Sequence, residues 1–206
     1  MFLMTLLWVC AVYADDCLLV QSDGPPDYHL TTVIRAACFD AGLTFEEQST
    51  VPDDLDPYDV VVLHVHSFHP DWGFRVCEFV AAGGGLMTFG ATPYFLGMPE
   101  CIGATNYANS GGQARVLVEQ PTLGLHLNDI IGSSNNASDP AYRCAAAALQ
   151  DPVPGARRIV RWEPNSEGAN CGKAIYGLTF RYGLGKHAFL VDAWQYGLVR
   201  GLLMWL

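Results

Sequence analysis

Three closely spaced histidines in the stretch "HVHSFHP", His64, His66 and His69, are the residues of this chain best suited to chemistry. Positions two apart on a strand share a face, so His64 and His66 would point the same way. His69 would complete a three-nitrogen set of the kind that holds zinc, and zinc lowers the pKa of a bound water toward ~7. No carboxylate is obviously placed to act as general base, with Asp71 the one exception. The competing reading makes His64 a core histidine donating to a backbone carbonyl, with His66 and His69 as loop residues near the pocket. A second candidate is "FVAAGGGLMTFGATPYFLG" (79–97), which reads as a helix end, a glycine stop, a buried strand and a sharp turn at Gly90, Ala91 and Thr92. In α/β enzymes such a turn carries the nucleophile. Here only Thr92 has a hydroxyl, for which one of the histidines would be the base.

The elements that must position these residues follow from apolar spacing. "CLLVQSD" (17–23), ended by Gly24-Pro25-Pro26, reads as a buried strand and its turn. Leu30, Val33, Ile34, Ala37, Cys38 and Ala41 recur at helical spacing, with Gly42 as the stop. "LTFEEQ" is a weaker second strand. "DPYDVVVLHVHS" is β-branched and continuous, as a strand buried on both faces should be. Trp72, Val76, Phe79 and Val80 form the next helical stripe, and "LMTFG" the next strand. The intervening Gly83-Gly84-Gly85 precedes a strand, whereas phosphate-binding loops follow one, and no cofactor is expected.

This order predicts an α/β fold: a flavodoxin-like parallel sheet, strand order 2-1-3-4, with the first two helices on opposite faces. Ligands bind such sheets beyond the strand C-terminal ends. That rule brings Ser22, Asp23, Asp27, His66, Ser67 and Thr92 to one rim as a candidate cleft, although Ser22, Asp23 and Asp27 also fit a turn. Further along, "GATNYANSGGQ" and "IIGSSNNASDPAYR" read as loops and "RRIVRWEP" as a strand. "KAIYGLTFRYGLGKHAFLVDAW" reads as a hairpin, with Gly183 and Gly185 supplying positive φ, and "QYGLVRGLLMWL" as a closing helix. Asp192, Trp194 and Tyr196 would form either a polar-aromatic patch suited to carbohydrate or part of the core.

The first fourteen residues, "MFLMTLLWVCAVYA", are uncharged and too short for a spanning helix, which needs ~20 apolar residues. Val12 and Ala14 satisfy the small-residue rule for a signal peptide cleaved before Asp15, which leaves a single secreted or lumenal domain over 15–206 with no membrane span. A net charge of −10, with 11 Lys plus Arg, gives no footprint for nucleic acid or anionic lipid. Removing Cys10 leaves an even number of cysteines, as expected for disulfides. Cys38 and Cys77 fall on opposite faces among apolar neighbours, which predicts free buried thiols. Cys144 and Cys171 lie where irregular segments need fastening, which predicts a pair and leaves Cys17 and Cys101 unassigned. Asn136-Ala137-Ser138 is an N-glycosylation acceptor.

Taken together, "YDVVVLHVHSFHPDWGFRVCEFVAAGGGLMTFGA", "RYGLGKHAFLVDA" and "LLMWL" resemble the class I glutamine amidotransferase-like superfamily, including trehalose-utilisation-like proteins and the trimerisation domain of some β-galactosidases. The resemblance implies the flavodoxin-like sheet. It also implies that the turn after "LMTF" should carry a cysteine in a G-x-C-x-G elbow, paired with a late H-x-E motif. Ala91 stands at the cysteine position, and His187 is followed by Ala188 and Phe189. The expectation is therefore a secreted, non-catalytic binding or assembly module whose partner is a protein, a second copy or a carbohydrate. The rival expectation is a hydrolase using the histidine cluster, with or without metal.

Overall fold

The computed structural model describes residues 16–22, 27–110, 116–118, 146–162, 175–191 and 196–206. The proposed leader, the glycosylation triplet at Asn136 and the predicted Cys144–Cys171 pair lie outside these residues, as do Asp23, Asp192 and Trp194.

The first half alternates strands and helices: β1 (Asp16–Ser22), α1 (Tyr28–Asp40), β2 (Thr44–Gln48), β3 (Val60–Val65), α2 (Pro70–Ala82) and β4 (Gly85–Phe89). A short helix α3 (Thr92–Phe95) and a 3-10 turn (Glu100–Ile102) lead to β5 (Ala104–Ser110) and β6 (Val116–Val118). The rest comprises β7 (Ala146–Pro152), β8 (Arg157–Trp162), β9 (Ile175–Tyr182), β10 (Gly185–Leu190) and α4 (Tyr196–Trp205). Among the described residues the strands form one sheet in the order β2-β1-β3-β4-β10-β9-β7-β5, with β8 and β6 branching from β9. From β2 to β10 every neighbouring pair is parallel, and from β10 onward every pair is antiparallel. The chain therefore has the flavodoxin-like, amidotransferase-like α/β fold, extended by an antiparallel wing. "ATNYANS", read as a loop, is strand β5, paired with β7. Among the described residues no helix is long and apolar enough to cross a membrane.

Successive strand residues face opposite layers, and the sequence is apolar wherever both layers are packed. Cys17 and Leu19 of β1, Val60 and Val62 of β3, and Met87 and Phe89 of β4 pack with Ile34 and Ala37 of α1 and Leu198, Val199 and Leu202 of α4. Leu18, Val20, Val61, Leu63 and Leu86 pack on the other side with Val76 and Val80 of α2. Each of the buried Val, Leu, Ile, Met and Phe side chains among these contributes about 1.5–3 kcal/mol of transfer free energy.

The cysteines depart from expectation. Cys17 is bridged to Cys38, joining β1 to α1, and Cys77 to Cys101, joining α2 to the 3-10 turn, with Cα separations of 6.5 and 5.4 Å. Cys38 and Cys77 do sit on opposite faces of the sheet, but neither is a free thiol. Apolar neighbours do not separate a buried thiol from a buried disulfide, and each partner here lies in a neighbouring element on the same face. With sequence separations of 21 and 24, each bridge stabilises by about 3 kcal/mol in the chain-entropy model.

A buried polar link ties the centre of the sheet to the 3-10 turn. His187, on β10, is fully buried; its Nδ1–H donates to the Ile102 carbonyl at 3.0 Å and its Nε2 meets the Thr88 hydroxyl of β4 at 2.8 Å. Burial pushes this imidazole's pKa from 6.5 down to about 3, against the smaller pull of the Ile102 carbonyl. Between those values the unfolded chain takes up a proton that the native state refuses, so stability falls as pH drops from 6.5 toward 3. The loss reaches about 1.4 kcal/mol per pH unit for this residue.

The β9–β10 hairpin docks on the end of α2: Leu184 N–H donates to Ala81 O at 3.0 Å and Lys186 N–H to Gly84 O at 3.3 Å. Gly183 has the expected left-handed backbone, φ +59°, and a Cβ there would fall 2.6 Å from the Ala81 backbone. Gly185 is not left-handed; it is required because a Cβ would lie 2.2 Å from Val80 O and 2.3 Å from Gly84 O.

Two outcomes follow. The melting temperature should be level above about pH 7 and fall between about pH 6 and pH 4; His187→Gln should make that fall shallower, the rest coming from His64, whose pKa is lowered to about 4, while lowering stability at neutral pH. An unchanged slope in the variant would place the acid sensitivity elsewhere. Gly183→Val and Gly185→Val should each cost on the order of 1–3 kcal/mol in chemical denaturation, and wild-type midpoints for both would remove the docking argument.

Candidate functional site at the strand ends

In the order β2-β1-β3-β4 the connections diverge between β1 and β3, which makes the crevice beyond their C-terminal ends the place for a ligand. Its α1 side is fixed by hydrogen bonds. Gln21, the last but one residue of β1, donates through Nε2 to Thr31 Oγ1 at 2.6 Å and to Glu47 Oε1 at 3.1 Å. Its Oε1 accepts from Asp27 N–H at 3.1 Å. Asp27 in turn caps α1, with Oδ1 accepting from the N–H groups of His29 and Leu30 at 3.0 Å. Asp27 is thus a helix cap, and the polar partner of the rim is Gln21, which the sequence reading did not single out. Thr31 interrupting the apolar stripe of α1 is the signal that could have found this network.

Ser22 is buried and its Oγ makes no hydrogen bond; the same holds for His64 Nδ1. Gln21 and His64 are register partners on β1 and β3. The His64 ring stands edge-on to that of His66, centroids 4.4 Å apart. Burial, and secondarily His66, lowers the His64 pKa to about 4, with Asp27 pulling the other way. His64 is neutral at ordinary pH. His66 is exposed.

His69 does not join the other two. β3 ends at Val65, so the alternation aligning 64 and 66 stops there, and His69 becomes the residue preceding Pro70 at the start of α2. Its ring stacks on Trp72 at 3.9 Å, its Nε2 meets Ser67 Oγ at 2.8 Å, and its N–H donates to Phe95 O at 2.8 Å. Among the described residues no three His, Cys, Asp or Glu side chains are grouped to hold a metal, and the structure does not bring the predicted trio together. Asp71 is exposed in the first turn of α2, where a carboxylate complements the helix dipole.

The turn after β4 keeps the shape of an elbow. The left-handed residue is Gly90, φ +53°, whose N–H donates to Leu190 O at 3.0 Å; Ala91, one residue on, is in ordinary helical conformation. Thr92 is fully buried and its hydroxyl is committed: Oγ1 accepts from Val65 N–H at 2.9 Å and donates to Leu63 O at 3.3 Å. Thr92 stitches α3 to the end of β3, and it is neither a nucleophile nor a cleft residue. Tyr196 is also placed away from the rim, with its hydroxyl bonded to Asp40 at the opposite end of α1.

The rim instead carries aromatic rings outside the predicted set. Phe68 and Tyr94 stand with centroids 6.3 Å apart, and Tyr94 stacks on Tyr107 of β5 at 5.1 Å. Burial, with Tyr94 alongside, raises the Tyr107 phenol to about 12.

Against solved structures, the fold is similar to that of a β-galactosidase from Bacillus circulans sp. alkalophilus, with TM-score 0.61 and 17% identity over 92% of this chain and 30% of that one. A β-galactosidase from Rahnella sp. R3 gives 0.57 and 14% over 93% and 30%. A candidate GMP synthase component from Thermoplasma acidophilum gives 0.51 and 11% over 92% and 94%. The chain thus spans about 30% of the β-galactosidases it matches and nearly the whole of the synthase component. No family model and no curated protein matches it by sequence. At these identities the likeness establishes the fold class alone.

Replacing Thr92 by the isosteric valine should cost about 1–3 kcal/mol by leaving the buried Val65 N–H unpaired. Urea denaturation reads this; an unchanged midpoint would free the hydroxyl for another role.

Proposed function

We propose that the chain is a secreted, non-catalytic module of the amidotransferase-like fold that binds or assembles with a partner. The observation carrying this reading is the elbow itself: Gly90 and Ala91 offer no nucleophile, and both hydrogen bonds of Thr92 are spent on β3. The one fully buried histidine near β4, among the described residues, is His187; it holds Thr88 and Ile102 and faces no reactive group. Two disulfides support an oxidising compartment. The β-galactosidase matches support the module reading, because a region of this fold occurs there within a much longer chain.

A second reading has one observation in its favour. Ser67 Oγ and His69 Nε2 lie 2.8 Å apart, the contact a hydroxyl nucleophile makes with its base. In a hydrolase of this kind the imidazole would take the Ser67 proton as the hydroxyl attacks an acyl carbon.

The purified protein should release no ammonia from glutamine above background and should resist glutamine-analogue electrophiles. It should also hydrolyse activated esters no faster than Ser67→Ala. Turnover lost in Ser67→Ala would replace the module reading with the second one. N-terminal sequencing of the expressed protein, beginning at Asp15, tests secretion.

A further inference from the structure

Backbone strain persists only where the surrounding structure holds it, and releasing that hold changes the local shape. Among the described residues two non-glycine residues are left-handed, Met98 at φ +52° and Asp151 at φ +53°. Aspartate tolerates that conformation, whereas methionine rarely adopts it. Met98 also precedes Pro99, whose ring pushes its predecessor toward extended backbone. Three contacts hold Met98 in place. Its N–H donates to Pro93 O at 2.9 Å, its side chain packs against the α2-side core, and the Cys77–Cys101 bridge fixes the chain just beyond it. The turn is pressed onto α2 so closely that a Cβ at Gly73 would fall 2.3 Å from Leu96 O.

The two disulfides differ in what must open to expose them. Cys17 lies inside β1, in register with Phe45 of β2 and Val60 of β3, and Cys38 lies inside α1; both are wholly buried. Exposing that bridge means taking the parallel sheet apart. Cys101 sits instead in the three-residue 3-10 turn, between left-handed Met98 and left-handed Gly103. The turn's own backbone bonds are Ile102 N–H to Pro99 O at 3.0 Å and Gly103 N–H to Glu100 O at 3.4 Å. Single hydrogen bonds from His187 to Ile102 O, from Val153 N–H to Gly103 O and from the Tyr182 hydroxyl to Glu100 tie it to the rest. A short segment held this way opens locally at lower free energy than the centre of a sheet. Disulfides under strain are also the more readily reduced ones.

We propose that Cys77–Cys101 is a thiol-reducible latch: a dithiol opens it ahead of Cys17–Cys38 and releases residues 97–103 from α2 while the sheet stays folded. A thiolate of the dithiol attacks the sulfur of Cys77, the less completely buried partner, and Cys101 leaves as a thiolate that takes up a proton. The second thiol of the reductant then resolves the mixed disulfide. Two electrons and two protons pass to the protein, and the dithiol becomes a disulfide. Met98 relaxes toward extended backbone, and the Ile102 carbonyl is free to leave His187. The latch does not rest on the module reading.

The test equilibrates the intact oxidised protein in dithiothreitol buffers of graded reduced-to-oxidised ratio, traps thiols with N-ethylmaleimide and maps the labelled peptides. Cys77 and Cys101 should label at a ratio at least about tenfold below that needed for Cys17 and Cys38, with far-UV circular dichroism nearly unchanged. Met98→Gly and Pro99→Ala each relieve the turn. Each should raise the ratio needed for Cys77–Cys101 about tenfold and leave Cys17–Cys38 where it was. Pro99→Ala keeps the Met98 side chain, so it carries the test if Met98→Gly does not fold. Labelling of all four cysteines together, or of Cys17 and Cys38 first, would overturn the proposal. So would a ratio unmoved in the folded variants. An equal shift in both bridges would overturn it as well, since the stability of the whole molecule would then control reduction.

Discussion

A strand packed on both faces has no position at which a polar side chain can reach water, and β3 and β4 are built under that constraint. Val60 to Leu63 and Leu86 to Phe89 are buried throughout, alternately against the α1–α4 layer and the α2 layer. Polar chemistry is thereby driven to the ends of the strands or must be fully paired inside. Thr88 shows the second solution: its hydroxyl meets His187, and the other ring nitrogen of that histidine is matched by a carbonyl. His64 and Ser22, close to the open ends of their strands, show where the pairing stops.

The elbow keeps a geometry whose turn residues, Gly90 and Ala91, carry no nucleophilic side chain. Gly90 turns the chain after β4, and α3 begins where a nucleophile's helix would begin. What holds this shape is Thr92, which satisfies two backbone groups at the C-terminal end of β3. Aromatic residues stand close by, Phe68, Tyr94 and Phe95 packing ring against ring beside the turn.

The parallel half is legible in the sequence because one physical signal, uninterrupted apolar runs alternating with helical stripes, dominates there. β5 is not: "ATNYANS" has small and polar residues with no alternation, and it becomes a strand only through pairing with β7, far away along the chain. The disulfides are hidden for a related reason, since pairing depends on which element lies alongside and not on the hydrophobicity of each cysteine's neighbours. At the site, the histidine spacing carries less than it suggests, because the period-two argument holds only while the strand lasts, and β3 ends between His64 and His66. The contacting rings of Phe68, Tyr94 and Tyr107 come from three segments of chain, so no local window contains their pattern.

The sheet also has a border at β2, "TFEEQ", which pairs on one side with β1 and on the other with no strand among the described residues. Its middle residues, Glu46 and Glu47, are exposed. Two copies approaching through this border would set carboxylates against carboxylates along the very line where backbone hydrogen bonds would form. Like charge at an open strand edge discourages the indefinite stacking that leads to fibres.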